Sequence, residues 1–327
     1  MDRDASKPLG VGLIGLGRHG SRYARHLLAD LPEARLAAVS RRQADQGVPD
    51  APSVPCHADY HRLINDPRVD VVVAVTPPVL NRDICLAAIQ AGKPLLVEKP
   101  LAATVDDARA IAAAAGRSEH LLMVAHTLRF DPTVLALRAR RPEVGTLCSL
   151  SLASRMEPQG HPQQERGFGG RGCLLEIGIH LLDLIRVVTG DEVEQVSCDM
   201  DVVPPLSPEQ LVLARLTTRR GLRCLVDVSR VSSGRIGRVE LVGQEGQLSA
   251  DWCARRLVQL SAQTGAREWS IQPEPTILSV LRAFCRSVRE GVPPPVTVED
   301  GARAVEAAEA CYLSARDGGR VVRVEYA

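Results

Sequence analysis

The stretch GCLLEIGIHLLDL, residues 172–184, carries three polar side chains in an otherwise apolar run: Glu176, His180 and Asp183. An imidazole titrates near neutral pH, so His180 is a candidate for taking or giving a proton. A carboxylate nearby can bind a substrate hydroxyl or tune and orient the ring. Read as a helix at about 100° per residue, the three share a stripe about 60° wide. Leu174, Leu175, Ile177, Leu181, Leu182 and Ile185 cover the flanks and back, and Gly178 lies near the opposite pole. A surface helix has a broad polar face with Lys and Arg in it. A thin polar seam on an apolar body predicts a helix turned toward a cleft, with a structural polar cluster as the competing reading.

A second group of residues points to a nucleotide. GLIGLGRHG contains Gly15-x-Gly17-x-x-Gly20, with Arg18 and His19 inside the turn, between a predicted strand and a predicted helix. Gly15 permits a tight turn, Gly17 lets the backbone approach a pyrophosphate, and Gly20 lets the helix pack on the strand. The helix N-terminus offers N–H donors and a positive dipole end to phosphates. The next strand, RLAAVSRR, ends in Ser40, Arg41 and Arg42, where an NAD-preferring site usually has Asp or Glu. A hydroxyl and guanidinium groups suit a 2′-phosphate, so NADP(H) is expected over NAD(H). The alternatives are that the arginines are solvated loop residues and that Asp45 folds back as the missing acid. Lys99, in PLLVEKPLA, falls just past a strand end, on the edge where open α/β sheets bind ligands.

These residues need elements to position them. In the first part of the chain short apolar runs (LGVGLIG, RLAAVSR, VDVVVAVTPP, PLLVEKP, LLMVAHTLRF) alternate with segments of helical length. That is the signature of β-α units on a parallel sheet, and it predicts a doubly wound, Rossmann-type domain over residues 1–124. In residues 125–327 strands follow one another with few helices between, at 145–156, 193–203, 210–218, 221–231, 236–243, 246–251 and 256–262. Helices are predicted at 132–141, 172–189, 276–291 and 299–317. Adjacent strands should form hairpins, so this half reads as an α+β domain with an open, mostly antiparallel sheet.

Composition excludes other classes. The chain has 327 residues, 45% hydrophobic and 24% charged, with a net charge of +1 and only three Phe, two Trp and four Tyr. Nothing in this balance favours nucleic acid or an anionic membrane. The nine cysteines have no Cys-x-x-Cys spacing and read as buried reduced thiols. There is no leader-like segment and no apolar run of membrane length, so a cytoplasmic protein is expected. Metal catalysis is not expected, since no second cluster would complete a shell around Glu176, His180 and Asp183.

The sequence resembles the Gfo/Idh/MocA oxidoreductases, which include glucose-fructose oxidoreductase and inositol dehydrogenase. The resemblance rests on GLIGLGRHG, VVVAVTPP, AGKPLLVEKPLA, the LRFDP segment, GGRGCLLEIGIHLLDLIRVVTG and AVEAAEACYLSARDGGRVVRV, and runs nearly the whole length. It implies an N-terminal Rossmann domain and a C-terminal α+β domain whose open sheet forms homodimer or homotetramer contacts. It also implies that Lys99 of Glu98-Lys99-Pro100 is the active-site lysine, and that Glu176 and His180 are the helix acid and histidine. The usual acid is Asp, so Glu176 departs by one methylene. Asn81, after Thr76-Pro77-Pro78, stands where many members carry a His near the cofactor, and His126 where an aromatic residue is common. On this basis Thr76, Pro77, Asn81 and Glu98 are expected at the cofactor, and His126 and Arg129 at the substrate.

The implied reaction moves a hydride between a nicotinamide and a secondary alcohol or ketone of a sugar, cyclitol or related small polar substrate. His180 would be the acid/base, Lys99 would polarise the reacting oxygen, and Glu176 would bind an adjacent hydroxyl or tune both. Asp183 would orient the imidazole or serve as a brace. Three rivals stay open: transient oxidation during glycoside cleavage, a reductase of a non-sugar imine or ketone, and a non-catalytic dinucleotide-binding regulator.

Overall fold

A computed structural model describes residues 7–158, 167–202 and 208–327. In chain order its main elements are β1 (Leu9–Ile14), α1 (Gly20–Ala29), β2 (Ala34–Ser40), β3 (Cys56–His57), α2 (Tyr60–Ile64), β4 (Val71–Ala74), α3 (Asn81–Gln90), β5 (Leu95–Glu98), α4 (Val105–Ala115) and β6 (Leu122–Ala125). There follow α5 (Pro132–Arg140), β7 (Leu147–Arg155), α6 (Ile179–Thr189), β8 (Val193–Asp201), β9 (Leu211–Thr218), β10 (Arg223–Ser229) and β11 (Ile236–Gly243). The chain ends with β12 (Gln247–Asp251), β13 (Arg256–Ser261), β14 (Gly265–Ser270), α7 (Thr276–Glu290), α8 (Val298–Arg316) and β15 (Val322–Arg323).

The first compact unit runs to Ala102 and includes Asp106–Thr127 and Pro275–Ala302. Its six strands form a sheet in the order β3-β2-β1-β4-β5-β6, with every pairing parallel. β1, β4, β5 and β6 are buried along their whole length, as expected of strands covered on both faces. This order reverses direction between β1 and β4, the crevice where doubly wound sheets take ligands. β3 and α2 lie between β2 and β4. Both are short, and α2 is started by the Asp59 side chain accepting from the His61 N–H.

The division of the chain differs from the sequence boundary at 124/125. Residues 275–302 pack with the first unit, not the second. α7 packs against α1, the Val124 N–H donates to Val296 O at 3.3 Å, and Gly301 lets its helix approach Leu101 and Val124. The apolar face of α7 has no local marker of which sheet it will cover.

The second unit comprises Ala103–Val105, Leu128–Glu274 and Arg303–Ala327. Its nine-stranded sheet has the order β14-β13-β12-β11-β7-β10-β9-β8-β15. One face alternates buried Leu150, Leu152, Val212, Ala214, Val226, Val228, Val239 and Leu241. All pairings are antiparallel except β7 with β10, which run parallel. Chain connectivity explains the exception. β7 leads through α6 as a crossover, and the β8-β9-β10 meander then brings β10 beside β7 in the same direction. The helix that carries His180 is therefore the crossover of this sheet. β14 was not anticipated from the sequence.

All nine cysteines are free; six are buried, Cys56 is intermediate, and Cys148 and Cys253 are exposed. Burial pushes the Cys224 and Cys285 thiols up to about 12. Among the described residues no helix is long and apolar enough to cross a membrane. Nor, among them, do three His, Cys, Asp or Glu side chains gather to hold a metal.

Candidate active site

The glycine turn sits between β1 and α1. Gly15 has φ +94°, which only glycine adopts at low cost, and its N–H donates to Ser40 O at 2.8 Å. A Cβ on Gly15 would lie 2.2 Å from Val75 O, and one on Gly20 would lie 2.0 Å from Gly15 O. Tight turn and close helix packing are therefore both enforced. A Cβ on Gly17 would meet nothing within 4 Å. The open side of Gly17, at the N-terminus of α1, is the cradle that a dinucleotide pyrophosphate needs, so these residues fit such a cofactor. Arg18 and His19 are exposed beside it.

His19 ties this turn to the end of β5. Its Nε2 lies 2.7 Å from Glu98 Oε1, and the buried Tyr23 hydroxyl donates to the same oxygen at 2.6 Å. Glu98 Oε2 accepts the Lys99 backbone N–H at 3.0 Å. Burial works against the Glu98 carboxylate, but the hydrogen bond and charge of His19, the charge of Lys99 and the Tyr23 hydroxyl outweigh it. They hold the carboxyl below its ordinary range. Glu98, expected at the cofactor, thus has its side chain turned to His19, Tyr23 and the backbone of Lys99. Asn81 is also buried. Its Nδ2 donates to the carbonyls of Glu98 (3.3 Å) and Pro100 (3.0 Å), and its Oδ1 accepts from Thr76 Oγ1 at 2.9 Å. Thr76 and Asn81 therefore brace the strand end on which half-buried Lys99 stands, and the Lys99–Pro100 peptide is cis. Pro77 is exposed, and His126, just past β6, is fully buried.

At the end of β2, Ser40 is buried and Arg42 exposed. Arg41 is half-buried, donating from Nη2 to Gln46 Oε1 at 2.7 Å and from Nη1 to Gly47 O at 3.3 Å. Asp45 is exposed in the same turn.

In the second unit, the segment carrying the polar seam is helical but not uniformly α. Leu174–Gly178 form a π turn, with the Ile179 N–H reaching back to Leu174 O, and α6 continues to Thr189. The angular spacing of an α-helix therefore does not hold between Glu176 and His180, and the 60° stripe is corrected. π turns inside helices are frequent at functional sites. Gly178 meets the sheet: a Cβ there would lie 3.1 Å from Val228 Cγ2.

The two carboxylates go to different partners. Glu176 accepts two hydrogen bonds of 2.8 Å from Arg230 Nε and Nη2, and Arg230 also donates from Nη1 to Glu157 O at 3.0 Å. Asp183, 1% exposed, accepts from Arg129 Nε at 2.7 Å and Nη2 at 2.5 Å. Both are fork-on-carboxylate pairs, the strong geometry for arginine. Asp183 is the brace, and Arg129, expected at the substrate, spends two of its nitrogens holding it. His180, between them in the chain, is partly exposed.

Sequence reasoning missed Arg230 and Glu209. The Glu209 carboxylate accepts the Gly172 N–H at 2.9 and 3.0 Å, the Leu174 N–H at 3.2 Å and the Tyr312 hydroxyl at 2.8 Å. No local signal marks either residue, because their partners are 54 and 37 positions away.

The chain matches the model of an oxidoreductase family with an NAD-binding Rossmann fold over residues 9–126, and that of the GFO/IDH/MocA C-terminal domain over residues 141–249. It is 27% identical over 317 residues to a myo-inositol 2-dehydrogenase of Thermotoga maritima, covering 90% of this chain and 92% of that one. It is 26% identical over 322 residues to a scyllo-inositol 2-dehydrogenase (NAD(+)) of Bacillus subtilis, covering 94% of each. A crystal structure of an oxidoreductase domain protein from Kribbella flavida has the same fold, with a TM-score of 0.88 at 24% identity over 97% of this chain and 99% of that one. The glycine turn at the switch point of the parallel sheet, the Glu-Lys-Pro strand end and the helix of the second unit thus occur in a chain that belongs to the Gfo/Idh/MocA oxidoreductase family.

Proposed function

We propose that this oxidoreductase moves a hydride between NADP(H) and a secondary alcohol or ketone of a cyclitol, sugar or related small polar substrate. The observation that carries the reading is the open Gly17 backbone at the switch point, tied through His19 and Glu98 to the backbone of Lys99. The substrate class is supported by the inositol dehydrogenases that the chain resembles.

A bound nicotinamide supplies the hydride acceptor or donor. His180 takes the hydroxyl proton in oxidation and returns it in reduction. The Lys99 ammonium hydrogen-bonds the reacting oxygen and steadies charge building there. Glu176, gripped by Arg230, is a fixed acceptor for a neighbouring hydroxyl and not a second base. Ser40, Arg41 and Arg42 support the 2′-phosphate, with no carboxylate at the end of β2 to repel it. NAD(H) is the second reading, favoured by the bonds that commit Arg41 to Gln46 and Gly47.

A panel of cyclitols, sugars and keto-sugars, assayed with NADP and NAD, tests the reaction. His180→Ala should lose about 10²–10⁴-fold in kcat, and retention of more than about a tenth of the wild-type rate refutes the assignment. Arg41→Ala should raise KM for NADP far more than for NAD, and equal effects remove the phosphate contact. We also propose a homodimer or homotetramer through the open face of the C-terminal sheet, where Leu213, Leu225 and Leu260 are exposed. Light scattering that gives a monomer at micromolar concentration would end that proposal.

A further inference from the structure

We propose that Glu209 is a positioning residue for the reaction. Its buried carboxylate holds the first turn of the segment that carries Glu176 and His180, and so fixes where His180 stands. The proposal rests on the reading of His180 as the acid/base.

A helix start leaves N–H groups without intrahelical partners, and a preceding Ser, Thr, Asp or Asn usually caps them. Here the local residues are Arg171, Gly172 and Cys173, none of which can do so. The acceptor comes instead from 37 positions away. The Glu209 side chain takes the N–H groups of Gly172 and Leu174, and its backbone carbonyl takes that of Cys173 at 3.1 Å. Gly172 is required by this closeness, since a Cβ there would lie 2.2 Å from Glu209 O.

Glu209 is itself held. It is 7% exposed, Tyr312 donates to it from α8, and Arg171 lies over the Tyr312 ring at 4.6 Å while pairing with Glu309. The next residue continues the clamp, because Gln210 O accepts the Arg230 N–H at 2.8 Å, and the Arg230 side chain grips Glu176. One dipeptide thereby fixes both the helix start and the arginine on Glu176. The charged groups around the cluster are Arg171, Glu309, Arg230 and Glu176. A carboxylate at this end also offsets the positive pole of the helix dipole.

Glu209→Gln keeps the size but removes the charge and turns an amide N–H₂ toward backbone donors. It should lower kcat by about 10- to 100-fold, the scale of a misplacement of up to about 1 Å, and leave dinucleotide binding within about twofold. A fold-only role would lower stability without this split between kcat and dinucleotide binding. If Glu209→Gln does not fold, Tyr312→Phe removes one bond to the same carboxylate and should show the same split at smaller amplitude. Wild-type kcat in the variant that folds, or a loss confined to dinucleotide KM, overturns the proposal. His180→Asn assayed alongside separates two failures. If that variant turns over normally, the acid/base reading falls and this proposal with it. If it is inactive beside an unaffected Glu209→Gln, this proposal falls alone.

Discussion

Replacing Arg230 with Met should expose how much the Glu176 carboxylate depends on its partner. The Arg230 side chain is 6% exposed and that of Glu176 is 18%, so water replaces little of what is lost. Removing one partner of a buried pair costs about 3–5 kcal/mol. Glu176 keeps some solvent contact, which puts the expected loss near the lower end, about 3 kcal/mol. At about 2–4 °C per kcal/mol for a unit of this size, Tm should fall by roughly 6–12 °C. Glu176→Gln alone should cost less, since Arg230 keeps its bond to Glu157 O. The double variant should be more stable than the sum of the singles by about 2 kcal/mol, as expected for groups in direct contact. Calorimetry on the four proteins measures this. Singles that add within about 0.5 kcal/mol would show that the two side chains are not coupled and refute the reasoning.

Other expectations are quicker to check. Gly17→Ala should melt with the wild type yet lose at least about tenfold in dinucleotide affinity by fluorescence, because its Cβ fills the open cradle, not the fold. Gly20→Ala should instead be destabilised, as its Cβ would collide with Gly15 O; the reverse pattern would contradict the cradle. The Glu98 carboxyl is held below its unfolded value, so its contribution is complete above about pH 4.5 and is lost as pH falls through the folded value. Glu98→Gln should therefore show a shallower drop of Tm between pH 6 and 3.5 (about the range where carboxylates titrate) than the wild type. Asp183→Asn should lower Tm through the Arg129 pair while leaving dinucleotide binding intact, and a loss of binding would contradict its role as a brace.

Periodicity and spacing settled much of this protein. The β-α alternation, the roles of Gly15 and Gly20 and the alternating strands of the second sheet all arise from interactions within a few residues, and all were legible in the chain. Glu176, His180 and Asp183 were legible as the polar residues of an apolar segment, but their shared stripe was not, since a π turn breaks the α-helical spacing. Tertiary structure decided the rest. Whether Asp183 orients an imidazole or braces a helix depends on Arg129, 54 positions away. Glu176 meets an arginine that no local pattern announces, and a π turn sets its spacing from His180. The same holds for β7 and β10, whose parallel pairing follows from a crossover, and for α7, which returns to the first sheet. Long-range pairing is set by which partners fold together, and a linear pattern carries only the propensity to form the element, not the identity of what it will meet.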